Sequence, residues 1–405
     1  VPECLVKVIS FLIFKIMKTI GVFFGSRSPE HDVSIVTAQL IISGLKQLGY
    51  KTVPVYIDKK GRWLINEKLG SMKFFTDPNI SSNLTKVKNF YLELQQETGK
   101  PNFKEKSLLA KNISIDLAFP AFHGQNGEDG TFQGMMELLN IPYVGCDTAS
   151  SAVSMDKILT KLLYKAADVP TTEFVTVTNF DWMNNRGDVF KMTGALKFPL
   201  IIKPARLGSS IGISKASTRK ELEYAIEVAL HYDPKVIVEE AVTDLMDVTC
   251  CVIGNDDPEP SLLQESVFQS EFFSYEDKYL KDGGAQTGKA EKNIIIPARL
   301  DKKTTTDIQN AAVQIFKLVG CSGIARVDFL YNKKTKKWFA NEINTLPGTL
   351  YHHLWKKTGI EFSDLLEKLI GYAEERYRLK KNITYTFESS ILTKTSSTKL
   401  SLKGM

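Results

Sequence analysis

Three oxygen-bearing side chains late in the sequence have the types and spacing to hold a hard cation. In "ARVDFLYNKKTKKWFANEINTLPG" (325–348), Asp328 lies on one expected strand, and Glu342 and Asn344 lie two apart on the next, so the latter pair projects to one face. Carboxylate and amide oxygens of this kind suit Mg2+, with phosphate oxygens completing the shell. Arg326 alternates with Asp328, shares its face and would add a cation beside the cluster. The competing reading is a surface hairpin with solvated charges. The flanking residues are apolar, so the acids interrupt a buried pattern, and that favours the cluster.

Four other stretches carry chemistry-bearing residues. "KPARLGSSIG" (203–212) closes an apolar strand with Lys203 and continues into small residues, including Ser209 and Ser210. Such a turn lets backbone approach an anion and could close over phosphates; a plain hairpin with glycines at left-handed positions accounts for it equally. It is not a Walker A loop, because no Gly-Lys-Ser/Thr ends it before a helix. "VIVEEAV" ends a strand in Glu239 and Glu240, which could meet nucleotide amines or hydroxyls, although solvated acids are the simpler reading. "SYEDKYL", with Lys278 and Tyr279, reads by itself as a charged helical turn. "FHGQNGEDGTFQG" (122–134) is a poor zinc site, since one histidine lacks the further ligands zinc requires. Its glycines predict a tight turn. Glu128 and Asp129 precede a helix, where negative charge is favourable, which leaves His123 exposed at the end of a strand.

The elements that must position these residues alternate between strand and helix. "KTIGVFFGS" reads as a buried parallel strand, "SPEHDVSIVTAQLIISGLKQLG" as an amphipathic helix ending at Gly49, and "KTVPVYID" as a second strand. This opening predicts an α/β fold with an open parallel sheet. "ISIDLAFPAF" is a third strand, so the histidine loop sits at a strand's C-terminal end, where such sheets place ligands. Residues 66–112 are polar and irregular and read as an insertion with one helix near "SSNLTKVKNFYLELQQ". "TFQGMMELLN" predicts a helix and "IPYVGC" a short strand. "TASSAVSMDKILTKLLYKAAD" predicts one long amphipathic helix. Strands at "FPLIIKP", "GISKAS", "KVIVEEAV" and "DVTCCVIG" follow, with helices at "RKELEYAIEVALHY", "TTDIQNAAVQIFKLVG" and "FSDLLEKLIGYAEERYRLK".

Bulk composition bounds the function classes. The 405 residues are 43% hydrophobic and 24% charged, ordinary for a globular chain of two or three domains. The net charge of +6 comes without a basic patch interleaved with aromatics, so nucleic acid is not indicated. Five cysteines fit no zinc spacing, and the adjacent Cys250 and Cys251 read as core residues, consistent with a reducing cytoplasm. The apolar stretch from Leu5 to Ile16 is short and broken by Lys7 and Lys15, which argues against a membrane span or a signal peptide, and Met17 reads as a natural start. Residues from about Lys380 onward read as a disordered Ser/Thr/Lys-rich tail.

Taken in order, "FGSRSPEHDVS", "HGQNGEDGTFQG", "KPARLGSSIG" and "RVDFLYNKKTKKWFANEINTLPG" resemble the D-alanine–D-alanine ligase family of the ATP-grasp superfamily, over about Met17 to Ala373. The resemblance implies a three-domain ATP-grasp fold. An α/β substrate domain would span 17–145, a central lid domain 146–238 and a metal-binding domain 239–378, with 1–16 and 379–405 as extensions, disordered or non-native. It implies a cytoplasmic homodimer for peptidoglycan precursor synthesis that binds D-alanine, ATP and two Mg2+ (or Mn2+) ions, with no nucleic acid or membrane partner. ATP phosphorylates one D-alanine carboxylate, and the amine of a second D-alanine displaces phosphate. Glu30 would hold the first ammonium and, with Ser209 and Tyr279, order a lid. His123 would line the first-substrate pocket. Lys157, Lys203, Ser210 and Lys278 would bind ATP phosphates, Lys278 also reaching substrate, and Glu239 would meet the adenine amine. Asp328, Glu342 and Asn344 would hold the metals, and Arg326 with the Gly348 N–H would stabilise the oxyanion. The retained acid and cation set argues against an inactive binding module, and the missing Walker A loop against a P-loop kinase.

The sequence departs from the family pattern at three places. Asp247 stands for the usual ribose-binding Glu, after a one-residue insertion in "TDLMD". Leu207 replaces an acid that supports the lid tyrosine in some members. "NTLPGTLYHHLW" replaces the usual "PGFTPxS" ending, with His353 in place of the serine that holds the second substrate's carboxylate. The second substrate therefore stays open between D-alanine and an alternative such as D-serine or D-lactate, with Tyr279 favouring an amine over a hydroxy acid.

Overall fold

A computed structural model of the protein describes residues 18–93, 102–107, 111–267, 294–389 and 391–394. Lys278, Tyr279 and Cys4 lie outside the described residues, as does the whole N-terminal extension 1–16.

Three sheets follow one another along the chain. The first contains β1 (Thr19–Gly25), β2 (Lys51–Ile57), β3 (Trp63–Ile65), β4 (Asn89–Glu93), β5 (Asn102–Glu105), β6 (Asn112–Ser114) and β7 (Leu117–Pro120), in the order β6-β5-β4-β3-β2-β1-β7. Of these strands β2, β1 and β7 pair in parallel, whereas β3 to β6 extend the sheet antiparallel. The expected open parallel sheet is thus its functional end alone. The described residues within 66–112 form regular elements: "SSNLT" is helical as expected, within Ile80–Thr85, whereas "NFYLE" is strand rather than helix. Phe90 and Phe103 are buried there while Tyr91 is exposed, so period-two burial against a pre-existing sheet edge overrides local helix propensity. "ISIDLAFPAF" likewise divides between β6 and β7, and "IPYVGC" makes a single bridge, Tyr143 to Ala118.

β1 is buried along its whole length, as a strand covered on both faces must be. Phe24 joins the cluster under helix α1 (His31–Gln47), whereas Phe23 points to the opposite cluster with Phe103, Phe122 and Phe132. Because β1 and β7 run parallel, their C-terminal ends open onto one edge. This brings the Ser26–Glu30 turn beside the loop that carries His123.

After helix α2 (Thr131–Leu138) the expected single helix is two, α3 (Thr148–Met155) and α4 (Lys157–Ala166). Asp156 breaks them at φ −90°, ψ 102°. Its carboxylate accepts from the Ile158 and Leu159 N–H groups at 3.1 and 3.3 Å and from Lys235 Nζ at 2.7 Å. An Asp N-cap of this kind stabilises a new helix start by about 1 kcal/mol. The break makes Lys157 the first residue of α4, with its N–H on Ala205 O at 3.0 Å.

The second sheet, β10-β9-β11-β8, comprises β8 (Phe174–Thr178), β9 (Leu200–Pro204), β10 (Ser214–Ala216) and β11 (Lys235–Glu240), with α5 (Arg219–Tyr232) packed on it. The third, β14-β13-β12-β15-β16, comprises β12 (Leu245–Gly254), β13 (Glu259–Ser266), β14 (Ile294–Ile295), β15 (Gly323–Asn332) and β16 (Trp338–Asn344). It is covered by α6 (Lys302–Val319), whose Ile308, Ala312, Ile315 and Phe316 are fully buried. Helices α7 (His352–Thr358) and α8 (Phe362–Lys381) return the chain to the first sheet, where Leu365, Leu366 and Leu369 share a core with α1. Cys250 and Cys251 are core residues, as expected, and Cys146 and Cys321 are also buried thiols. No helix among the described residues is long and apolar enough to cross a membrane.

Candidate active site

Each sheet contributes one side of the site. From the first, Glu30 sits at the head of α1 and is buried. Ser28 Oγ accepts from the Glu30 N–H at 3.1 Å and donates to His123 O at 2.7 Å, tying the two loops together. From the second, Ser209 Oγ hydrogen-bonds the Glu30 carboxylate, so the turn 203–212 reaches across to the first sheet. Ser209 and Ser210 adopt φ 54° and 58°, a left-handed backbone that costs a non-glycine residue roughly 1–2 kcal/mol. Two glycines lie close against the Glu30 carboxylate. A Cβ at Gly124 would lie 2.6 Å from Glu30 Oε2, and one at Gly208 would lie 2.9 Å from it.

His123 is not exposed at the strand end but buried. The parallel neighbour β1 and helix α1 cover the end of β7, which the local sequence cannot reveal. Its Nε2 bonds Thr37 Oγ1 at 2.8 Å, and that hydroxyl also accepts from Thr349 N at 3.2 Å. Burial first, then the Arg326 charge, lowers the His123 pKa from 6.5 to about 4, so the ring is neutral near pH 7. Between those two values the unfolded chain binds a proton that the folded chain refuses. Stability from this group is therefore present above 6.5 and lost as pH falls toward 4. From pH 7 to pH 5 the loss is about 2 kcal/mol. Urea unfolding at both pH values is expected to show His123→Gln losing about 2 kcal/mol less than the parent chain.

Glu128 is not a helix-start acid open to solvent. The residue is half-buried, with its carboxylate turned inward to accept from Gly124 N at 2.7 Å. Burial and the nearby Glu30 carboxylate push its pKa up to about 8. Asp129 also shapes the turn, accepting from the Asn126 and Thr131 N–H groups. Glu128, Lys157, Gly208, Glu342 and Asn344 line one narrow cleft where the three sheets meet.

The third sheet supplies the oxygen cluster. Asp328 pairs with Glu342, and Arg326 with Asn344, across β15 and β16. Arg326 clamps Asp328 through Nε (3.0 Å to Oδ1) and Nη2 (2.7 Å to Oδ2) and lies 5.1 Å from the Tyr351 ring. Thr249 Oγ1 donates to Asp328 Oδ1 at 2.9 Å, and Asn344 Nδ2 lies 3.3 Å from Oδ2. Glu342 stands farther from these cations, with Lys157 Nζ at 3.6 Å and Arg326 Nη2 at 4.0 Å. Two carboxylates and an amide form a hard-oxygen set that fits Mg2+ or Mn2+ once further oxygens complete the shell. No group of three or more His, Cys, Asp or Glu side chains able to hold a metal occurs among the described residues. Asp247 lies two residues before Thr249 on β12, on the face of that cluster.

Cations gather on the second sheet's side. Lys157 Nζ donates to Leu207 O at 2.8 Å. Lys203 Nζ donates to Asn341 Oδ1 at 3.0 Å and pairs with Glu239. Asn341 is the extra residue of a β-bulge, since Asp328 pairs with Glu342 but Phe329 with Ala340. The bulge re-aims its side chain toward Lys203. Nothing in the sequence marks it. Buried Lys161, by contrast, lies four residues from Lys157, a spacing that puts both lysines on one helical face.

Beyond Gly348 the chain turns tightly through Thr349, Leu350 and Tyr351, all at left-handed φ (50°, 56° and 49°) and all buried. Leu350 and Tyr351 join the core under α1, and that burial offsets the strain. Gly348 itself is buried at the head of this turn. His353 follows in α7, with Nε2 on Gln264 Oε1 at 2.7 Å. Burial, then the adjacent His352, lowers its pKa to about 4. A neutral ring donating to Gln264 has no second N–H to offer a carboxylate.

The chain matches known proteins over most of its length. A family model described as "D-ala D-ala ligase N-terminus" matches residues 19–146, and one described as "D-ala D-ala ligase C-terminus" matches residues 163–371. The D-alanine–D-alanine ligase of Thermosipho melanesiensis is 39% identical over 91% of this chain and 97% of its own length. That of Geobacillus thermodenitrificans is 36% identical over 92% of this chain and 100% of its own. Among solved structures, the D-alanine-D-alanine ligase from Coxiella burnetii superposes with a TM-score of 0.75 at 30% identity, covering 90% of this chain and 96% of that one. The VanG D-Ala:D-Ser ligase from Enterococcus faecalis superposes with a TM-score of 0.74 at 36% identity, covering 88% and 99%. With both halves of the family matched and an ATP-grasp fold shared with these structures, the chain belongs to the D-alanine–D-alanine ligase family.

Proposed function

We propose that the protein joins two D-alanines, with ATP converted to ADP and phosphate, through an acyl phosphate. One observation carries this reading: Gly208 from the second sheet's turn lines one cleft with Glu342 and Asn344 from the third, and that same turn holds Glu30 of the first sheet through Ser209. An ammonium is the fitting partner for the buried Glu30 carboxylate. Lys157 and Lys203 would take ATP phosphates, with Ser210 in the turn above them, and Glu239 and Asp247 would face the adenine amine and the ribose. Lys278 and Tyr279 would complete the lid. In this reading 17–145, 146–238 and 239–378 act as three units around the cleft.

Asp328, Glu342 and Asn344 would hold the divalent cations, which screen an incoming carboxylate from the triphosphate and neutralise developing charge on it. Phosphoryl transfer is chiefly positioning and charge neutralisation, and lysines, an arginine and buried acids supply both. The donor carboxylate oxygen attacks the terminal phosphorus, and ADP leaves. The amine of the second substrate then attacks the acyl carbon, a proton is lost, and phosphate departs. Arg326, fixed between Asp328 and Tyr351, and the Gly348 N–H would face the oxyanion of that second step. A closed lid keeps water from the acyl phosphate.

The decisive measurement is phosphate release from ATP and Mg2+ with D-alanine, with L-alanine, and with D-alanine plus D-serine or D-lactate, products being read by mass. D-alanine alone is expected to give dipeptide, and L-alanine none. Absence of D-alanine-dependent release at every Mg2+ concentration would overturn the reading. A mixed D-alanyl-D-serine product in preference to the D-alanine dimer would move the acceptor to D-serine.

A further inference from the structure

Lys161 is a charged side chain with no role so far, and it is 1% exposed. It lies one helical turn after Lys157 on α4, on the face that turns toward the second sheet. Its Nζ donates to Thr171 Oγ1 at 2.9 Å and Thr172 Oγ1 at 2.8 Å and pairs with Glu239 Oε2 at 2.7 Å. Thr172 Oγ1 donates to the same Glu239 oxygen at 2.7 Å. The other Glu239 oxygen faces Lys203. One buried carboxylate is thus shared by two lysines, one on each of its oxygens. Two positive charges against one negative leave a single net positive charge on the trio.

The position of that surplus is what matters. Lys161 is fully enclosed and spends all three ammonium protons on protein oxygens. Lys203 has Asn341 and Glu239 as partners and, at 8% exposed, is the less enclosed of the two lysines. Burial pushes the Glu239 carboxyl up, but Lys161 and Lys203 together hold it far below the usual carboxylate range, so it keeps its charge. Were Lys161 absent, that carboxylate would have Lys203 alone to neutralise it.

We propose that Lys161 is a positioning residue for the nucleotide: by neutralising Glu239 from the interior, it leaves the charge of Lys203 available to phosphate. The inference rests on the ATP-binding role proposed above for Lys203. Lys161 touches no substrate and acts through Glu239 and Lys203.

The test compares the full-length parent with Lys161→Met, Lys161→Arg and the double variant Lys161→Met/Glu239→Gln. It reads KM for ATP, kcat, and the inhibition constant of inorganic tripolyphosphate with Mg2+, a probe that lacks adenine. Lys161→Met is expected to raise both KM for ATP and the tripolyphosphate constant about tenfold, the order for one weakened charge-assisted contact, with kcat changed less than about threefold. Lys161→Arg keeps the charge and is expected to stay within about threefold of the parent. The double variant restores one net positive charge, now on Lys203 alone, and its tripolyphosphate constant is expected to return to the parent value. If Lys161→Met does not fold, the double variant decides, and a raised tripolyphosphate constant there overturns the proposal. An unchanged constant in Lys161→Met overturns it too, as does a fall in kcat with no change in KM. A parent protein without D-alanine-dependent turnover would instead refute the proposed function.

Discussion

Glu342→Ala is expected to lower kcat by at least about a thousandfold, the scale of losing a metal-held charge in phosphoryl transfer. The expectation follows from where the two carboxylates of the cluster stand. Asp328 receives both arms of Arg326 and the hydroxyl of Thr249. Glu342 lines the cleft together with Asn344, with Lys157 and Arg326 approaching at 3.6 and 4.0 Å. In the proposed function it is the carboxylate left to meet a cation entering with the nucleotide. Its side chain is 23% exposed, so truncation opens no core cavity and the melting temperature should move by no more than a few degrees. Phosphate release measured across a wide range of Mg2+ and Mn2+ checks the prediction. Turnover within tenfold of the parent at any metal concentration would remove Glu342 from the metal site.

The second large effect concerns Gly124. Gly124→Ala is expected to raise KM for the first D-alanine at least about tenfold, because the new methyl falls where the Glu30 carboxylate and the Ser28 hydroxyl now stand, 2.6 and 2.7 Å away. Its φ of +72° adds a strain of about 1 kcal/mol to any side chain. Strain and collision are separable, because Gly320 has nearly the same φ, +76°, with nothing within 4 Å of a Cβ. Gly320→Ala should therefore cost about 1 kcal/mol of stability and leave KM alone. Steady-state kinetics and urea unfolding of the two variants give the answer. Equal KM values would mean that Gly124 is needed only for its backbone and that Glu30 does not hold the ammonium.

Much of this site is legible in the amino-acid sequence. Period-two alternation places Glu342 and Asn344 on one face and Arg326 beside Asp328, and the register of β15 against β16 agrees. Lys203 stands at the end of an apolar strand, and the Ser-Gly turn after it lies against Glu30, as the family motif implies. These are local properties of strands and turns, set by backbone geometry over a few residues. The four-residue spacing of Lys157 and Lys161 is equally local, but which helical face becomes interior is not, and nothing near Lys161 marks it as buried.

The features hidden from the sequence have a common physical origin in packing between distant segments. Burial of His123 depends on α1 closing over β7, with Thr37 supplying its partner from a position 86 residues away. Glu128 lies in the field of the Glu30 carboxylate, which comes from a turn far earlier in the chain. Helix α4 starts afresh at Lys157 because Asp156 finds Lys235, 79 residues on. Strands β4 and β5 exist because a sheet edge is there to pair with, and Asn341 reaches Lys203 because a bulge shifts the register by one residue. The order of residues suffices for their local periodicity, and hence for the fold family and its oxygen cluster. Which charges are paired, which are buried and which face the cleft is settled by contacts between residues far apart in the chain, since desolvation and ion pairing depend on the complete set of neighbours.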